Sequence, residues 1–271
     1  MGKGITGMAA EQIIRLAFFF GVLMVVAVWE VIVPRRPLSD SKGRRWFTNL
    51  SLVVIDTSAT RLIFPVLPIG LAIMAQKQGW GVLNSSILPD WLRVILAVVA
   101  LDFAIYLQHV LFHFVPILWR LHRMHHTDLD IDVTTGNRFH PIEIIISMGI
   151  KLAVVALLGA SAIAVVAFEV ALNATSQFNH GNIRMPDALD RWLRLVVVTP
   201  DMHRVHHSAI PRETNSNFGF NLPWWDHLCG TYRPQPEGGH EGMSVGLKEF
   251  RDPGRLTLLR LLIQPFVRKP V

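Results

Sequence analysis

The chain has 271 residues, of which 51% are apolar and only 17% charged. Soluble domains carry about a quarter charged residues, so this composition, with a mean hydropathy of +0.37, argues against an ordinary soluble protein and for a membrane protein. The net charge of +6 does not imply nucleic acid, because the basic residues flank apolar segments and do not interleave with aromatics along one surface; anionic lipid head groups are the expected partners. Cys229 stands alone, which excludes an internal disulfide and leaves the redox compartment open.

Taken in order, residues 1–6 fit a short myristoylation pattern. Residues 17–33 form the first expected span; the run is long, has no small-residue exit and ends in Pro34-Arg35-Arg36, so it reads as retained rather than as a cleaved signal. Arg35, Arg36, Lys42, Arg44 and Arg45 follow, opposed only by Asp40, which places this loop on the cytoplasmic side. Residues 46–76 are apolar but interrupted by Asp56, Arg61, Pro65 and Pro68. They read as one kinked crossing, because the loop at 77–90 carries a single basic residue, Lys77. Residues 91–113 predict a further helix, with Asp102, Tyr106, His109 and His113 on one stripe that must face inward.

Residues 114–140 are too polar for hydrocarbon. Residues 142–172 are apolar again, broken by Glu143, Lys151 and Glu169. They are expected to form a re-entrant or shallow helical hairpin turning near Gly159, since the histidines on either side must return to one face. Beyond 173 the chain is water-compatible and rich in proline. It has short amphipathic helices predicted at 187–198 and 255–267, the second lying on the membrane. The expected organisation is an N-terminal transmembrane region at 1–90, a catalytic region at 91–250 and a C-terminal amphipathic segment at 251–271.

Three histidine clusters stand out: His109-x3-His113, His122-x2-His125-His126 and His203-x2-His206-His207. Helical spacing puts each cluster on one face, aimed at one point. Imidazole is a common metal ligand, and a surplus beyond four suggests two ions. The isolated His227 and His240 read as structural, His240 in a flexible segment. All-imidazole ligation suits zinc, copper, iron or nickel, and differs from the carboxylate-bridged sites of soluble di-iron bundles. A site at the membrane boundary meets lipid chains, whose C–H bonds only a redox metal with dioxygen attacks, and iron is the usual choice. A zinc or copper carrier or sensor is the rival reading, though such a protein would place ligands within crossing helices. A two-zinc hydrolase would lack its carboxylate base.

The order and spacing of the three clusters resemble the fatty acid hydroxylase / sterol desaturase superfamily of integral-membrane, histidine-box enzymes. The likeness extends to Pro116-Ile117-Leu118-Trp119-Arg120, to Thr135-Gly136-Asn137-Arg138-Phe139-His140-Pro141-Ile142-Glu143, to Ser216-Asn217-Phe218-Gly219 and to Trp225-Asp226-His227-Leu228-Cys229-Gly230-Thr231-Tyr232, and so covers about residues 95–233. The resemblance implies an all-α protein in which multi-pass membrane helices carry a cytoplasmic-face helical cap with a two-metal site. It implies metal ligands at His109, His113, His122, His125, His126, His203, His206 and His207. A ninth is implied at His180 in Phe178-Asn179-His180-Gly181-Asn182, while Ser176 stands where some relatives have a further histidine. His140 is expected beside the metals or the substrate. Asp102, Glu143, Asp201 and Asp226 are expected to accept from the outward imidazole N–H groups.

The implied activity is dioxygen-dependent hydroxylation or desaturation of a lipid, such as a sterol or fatty acyl chain, by two iron ions in a bacterial inner membrane or the endoplasmic reticulum. The sequence has no flavin fingerprint, haem module or iron–sulfur cysteines, so a separate electron donor is expected, cytochrome b5-like or a ferredoxin with its reductase.

Overall fold

The computed structural model describes residues 2–267, with side chains from residue 13 onward, so the acylation pattern at 1–6 lies outside the described side chains. The described residues are helical throughout, with two isolated β-bridges and no strand. Helix α1 spans Gly2–Ile32, α2 Lys42–Ile63, α3 Pro68–Gln78 and α4 Asp90–Phe114. Four stretches are long and apolar enough to cross a membrane: Ile13–Ile32, Lys42–Gln78, Asp90–Phe114 and Pro141–Leu158. Their outward faces are apolar; Val31, Leu62, Leu111 and Leu157, for example, are all exposed. In water such a surface would aggregate; in a bilayer it is the solvated face.

The break between α2 and α3 follows from Pro65 and Pro68. Phe64, just ahead of Pro65, takes an extended conformation that ends α2, and Pro68 opens α3 at its first turn. The expected kink is therefore present.

The hairpin consists of α6 (Pro141–Leu158) and α7 (Ala162–Asn179), turning at Gly159, whose φ is 66°. It is not shallow. The amides of Val82 and Leu83, in the loop after α3, donate to the carbonyls of Leu157 and Leu158 at 3.1 and 2.8 Å. A Cβ on Gly81 would lie 2.0 Å from the Gly159 nitrogen, so only glycine admits this approach. The hairpin tip thus reaches the end of the helical layer opposite the histidines, and each arm of 18 residues is about 27 Å long. Its charges are paired: Lys151 Nζ and Arg15 Nη2 lie 2.9 and 3.0 Å from the two Glu169 oxygens.

The remaining chain folds as a cap over one end of these helices: α5 (Pro116–His126), α8 (Asp187–Leu193), α9 (Pro200–His206), α10 (Pro211–Thr214), α11 (Trp224–Leu228), α12 (Gly239–Gly242) and α13 (Leu258–Ile263). The basic segment after α1 is built into this cap. Arg45 is buried and reaches Asp128 at 2.7 Å and Asp132 at 2.5 Å, while Arg35 pairs with Asp201 at 3.1 Å. Glu30, buried at the end of α1, accepts from the Val133 and Asn182 amides at 2.6 and 2.9 Å. Burial pushes the Asp128 pKa up, but Arg45, Arg138 and the Thr135 hydroxyl together outweigh it and hold it down at about 2. The basic loop and the cap therefore share one side. The acidic run at 128–132 is buried because Arg45 meets Asp128 and Asp132 while the Ser39 and Asp40 amides donate to Asp130.

Candidate metal centre

All nine expected histidines converge beneath the cap and are buried, from 0% exposed for His125, His180, His203 and His206 to 8% for His113. They form two groups whose ligand atoms lie within 4.8 Å of one another: His109, His113, His122, His126 and His206 in the first, and His125, His180, His203 and His207 in the second. Helix α4 supplies His109 and His113, α5 supplies His122, His125 and His126, and α9 with its C-cap supplies the last three. His180 caps the end of α7.

Each His-x2-His-His motif divides between the two groups and does not aim at one point. Residues four apart on a helix differ by about 40° in direction, while the residue three along falls about 60° to the other side. In α5 the pair four apart, His122 and His126, serves the first group and His125 the second. In α9 the pair His203 and His207 serves the second group and His206 the first. The two motifs thus interlock across a pair of adjacent centres.

Five imidazoles are oriented by an acceptor at Nδ1. His109 donates to the Phe218 carbonyl, His122 to Glu143 Oε1, His180 to the Ser176 carbonyl and His206 to the Ser216 carbonyl, each at 2.7 Å, and His113 donates to Asn215 Oδ1 at 3.1 Å. An Nδ1 that donates leaves Nε2 with a bare lone pair. Yet His109 Nε2 and His122 Nε2 lie 3.1 Å apart, so two lone pairs face each other. His126 and His113 meet Nε2 to Nε2 at 3.1 Å, His203 and His180 at 3.1 Å, and His180 and His125 at 3.2 Å. A cation shared between such nitrogens satisfies the lone pairs of both rings. Two imidazoles on one ion at about 2.1 Å stand about 3.0 Å apart at a right angle and about 3.4 Å apart tetrahedrally, so the spacing fits a transition metal. His207, buried with neither ring nitrogen hydrogen-bonded, supports the same conclusion.

The electrostatics agree. Burial lowers the pKa of His125, His126, His203, His206 and His207 well below the ordinary value, and that of His122 and His180 to about 3. The imidazoles are therefore neutral at physiological pH, the state that binds metal. Phe139 stacks on His125, its ring centroid 4.6 Å away, while Phe218 lies 5.0 Å from His113 and Phe220 4.9 Å from His109, which keeps water from the group.

The expected carboxylate acceptors are mostly placed elsewhere. Glu143 accepts from His122 as anticipated. Asp102 instead accepts from Trp225 Nε1 at 2.7 Å and the Leu222 amide at 3.3 Å, which ties α11 to α4. Asp201 is taken up by Arg35 and Arg204. Asp226 accepts from the Phe218 and Gly219 amides at 2.8 and 2.9 Å, so it positions the Phe218 carbonyl without touching an imidazole. His140 lies outside both groups; it caps α6 through Nδ1 and donates Nε2–H to the Leu262 carbonyl at 3.1 Å. His240 is buried in α12 rather than in a flexible segment, with Asp201 3.7 Å away. His227 stacks on Tyr232 with centroids 4.0 Å apart.

Residues 215–218 do much of the work expected of carboxylates. Three of their oxygens, from Asn215, Ser216 and Phe218, accept from His113, His206 and His109. Among the described residues Asn217 is the one non-glycine with positive φ, at 52°, and its side chain donates to the Met202 carbonyl at 2.9 Å. That left-handed turn points the flanking carbonyls at the histidines. The signal was present in the sequence as the Ser216-Asn217-Phe218-Gly219 motif, but backbone acceptors leave no side-chain signature.

Comparisons with known proteins agree with this geometry. The fatty acid hydroxylase family profile matches residues 94–231, about half the chain and all three histidine clusters. The chain therefore belongs to the fatty acid hydroxylase family, a class of membrane oxidoreductases. It is 26% identical to the ornithine lipid hydroxylase OlsE of Rhizobium tropici over 258 residues, covering 93% of this chain and 75% of the relative. It is 29% identical to an alkylglycerol monooxygenase of Xenopus tropicalis over 156 residues and 27% identical to that of Homo sapiens over 154, each match covering 57% of this chain. The chain spans about a third of the length of these alkylglycerol monooxygenases, 34% in each case. No solved structure matches.

Proposed function

We propose that this protein hydroxylates a C–H bond of a membrane lipid, using dioxygen and two iron ions held by the nine histidines. The observation that carries the reading is the pair of buried all-imidazole groups whose Nε2 atoms approach one another to 3.1–3.2 Å. His109, His113, His122, His126 and His206 would hold one ion, and His125, His180, His203 and His207 the other. When bound, the pair of irons supplies the redox capacity to attack an unactivated C–H bond with dioxygen and two external electrons. Ligands without charge leave that pair strongly positive and polarising.

The chain's own residues prepare the centre in three ways. Glu143, Asn215 and the carbonyls of Ser176, Ser216 and Phe218 fix the ring tautomers before metal arrives. Asp226 and Asn217 hold the 215–218 turn in place. Phe139, Phe218 and Phe220 exclude water that would quench a reactive centre. A cavity of about 460 Å³ adjoins His113 and Asn215, bounded also by Trp119, Arg123 and Phe250, and gives the first group a route to the outside.

Hydroxylation is favoured over desaturation because the names of the relatives describe a lipid hydroxylase and monooxygenases. The same names support a lipid substrate. The basic residues Arg36 and Arg44 after the first span support a cytoplasmic site, to which a separate redox protein, cytochrome b5-like or a ferredoxin with its reductase, delivers electrons. Comparative lipidomics of cells with and without the protein tests the reading: a lipid gaining one oxygen atom is expected, and a shift of two hydrogens would replace hydroxylation with desaturation. Unchanged lipids in a strain that accumulates the metal-loaded protein would overturn it.

A further inference from the structure

A cavity of about 840 Å³ in the cap is lined by charges of both signs, among them Arg35, Asp187, Asp190, Arg191, Arg194 and His240, and contains none of the nine histidines. Its depth follows from the fold. Arg35 stands three residues beyond the end of α1, where a spanning helix leaves hydrocarbon for the head-group layer. Helix α8 forms one wall with its polar side, Asp187, Asp190 and Arg191, while Leu189 and Trp192 on its other side are exposed, as are Leu195 and Val196 just beyond it. Trp224, whose Nε1 donates to the Leu195 carbonyl at 2.7 Å, and Leu228 extend this apolar rim. An amphipathic segment with tryptophans on its apolar side lies in a membrane surface.

Two buried side chains in this cavity have polar atoms without a partner. Arg194, 8% exposed, donates Nη1–H to the Pro234 carbonyl and pairs with Asp190 through Nε, yet its Nη2 makes no hydrogen bond. His240, 4% exposed, has neither ring nitrogen hydrogen-bonded. A buried donor that nothing meets is destabilising, so such groups point to a missing partner. Asp187, exposed at the mouth of the same cavity, supplies a carboxylate.

We propose that this cavity is a head-group site for a zwitterionic membrane lipid, whose anionic group is held by Arg194 and His240 and whose ammonium group faces Asp187. The shared chemistry of the anion is a phosphate or carboxylate oxygen accepting from Arg194 Nη2 and from a His240 N–H. The apolar rim of α8 passes the acyl chains to the bilayer. Binding here does not depend on the histidine groups being redox-active, so it stands or falls separately from the oxygenase reading.

The test uses the full-length, metal-loaded protein in detergent micelles and calorimetric titration with four probes: dihexanoylphosphatidylethanolamine, dihexanoylphosphatidylglycerol, uncharged dihexanoylglycerol, and O-phosphoethanolamine as the head group without chains. Dihexanoylphosphatidylethanolamine is expected to bind about tenfold or more tighter than dihexanoylglycerol, since charge-assisted hydrogen bonds contribute on that scale. O-phosphoethanolamine should bind weakly. Arg194→Gln and His240→Asn should each weaken the zwitterionic lipid about tenfold, with Arg194→Lys restoring part of the loss and metal content unchanged. Asp187→Asn, at an exposed position that leaves the fold alone, should narrow the preference for phosphatidylethanolamine over phosphatidylglycerol. Equal affinity for the charged and uncharged lipids, or wild-type binding by His240→Asn, overturns the proposal. Binding of O-phosphoethanolamine as tight as that of the lipid makes this a site for a soluble anion and overturns the lipid assignment.

Discussion

Among the described residues Glu143 is the single carboxylate that touches a clustered imidazole, and removing it gives a quantitative test of how the centre is held. In Glu143→Leu the His122 Nδ1–H, now donating at 2.7 Å, loses its acceptor. Both residues are buried, His122 at 1% and Glu143 at 3% exposure, so water does not replace the lost oxygen. An unmet buried donor costs about 1–3 kcal/mol, which corresponds to roughly 5- to 150-fold weaker metal binding at the first group. Glu143→Gln keeps an acceptor oxygen and loses only charge, so it should fall at or below the bottom of that range. Competition against a chelator, with the purified protein in detergent, measures both. Asp102→Asn is the matched control: its carboxylate serves Trp225 and Leu222, so metal affinity should not change. Wild-type affinity in Glu143→Leu, or an equal loss in Asp102→Asn, would refute the reasoning.

Other substitutions probe other parts of the structure. His180→Ala removes one of four ligands from the second group and none from the first, so elemental analysis should find close to one metal per chain rather than two; loss of both ions would mean that the groups are not separable. Asp128 has a folded-state pKa of about 2 against an ordinary 3.8, so its roughly 2 kcal/mol of stabilisation is complete above pH 3.8 and is lost as pH falls through about 2. Asp128→Asn should lower the thermal midpoint at neutral pH, and the drop relative to wild type should shrink in acid; a constant difference down to pH 2 would contradict the pairing with Arg45. For topology, cysteine at Ser85 should label from the face opposite cysteine at Arg212, both on a Cys229→Ala background, and labelling of both from one side would refute the arrangement. Arg212 suits labelling because it is exposed.

The sequence reveals side chains that repeat at helical spacing far better than it reveals what those side chains meet. The eight histidines of the three clusters were readable, because imidazole beside apolar helices has few other uses, whereas the lone His180 came only from the resemblance to the family. The kink at Pro65 and Pro68 and the turn at Gly159 were readable because proline and glycine act locally. Three things were not. The depth of the hairpin depends on the contact between Gly81 and Gly159, which are distant in the chain. The division of each His-x2-His-His motif between two centres depends on how α5 and α9 face each other. The acceptor shell was sought among carboxylates, while backbone carbonyls at Ser176, Ser216 and Phe218 supply most of it. Arg45 shows the same limit in another form: counted as a lipid-facing charge, it is instead spent on Asp128 and Asp132 inside the cap.

The central claim is tested most directly by following the oxygen atom. Iron-loaded protein, reconstituted in membranes from its own host with a chemical or protein electron donor, is incubated under isotopically heavy dioxygen, and the extracted lipids are weighed by mass spectrometry. The account predicts a lipid that gains one heavy oxygen, no such product under heavy water with ordinary dioxygen, and none from His125→Ala or His206→Ala protein. Heavy oxygen absent from every lipid while the protein holds two irons would contradict it.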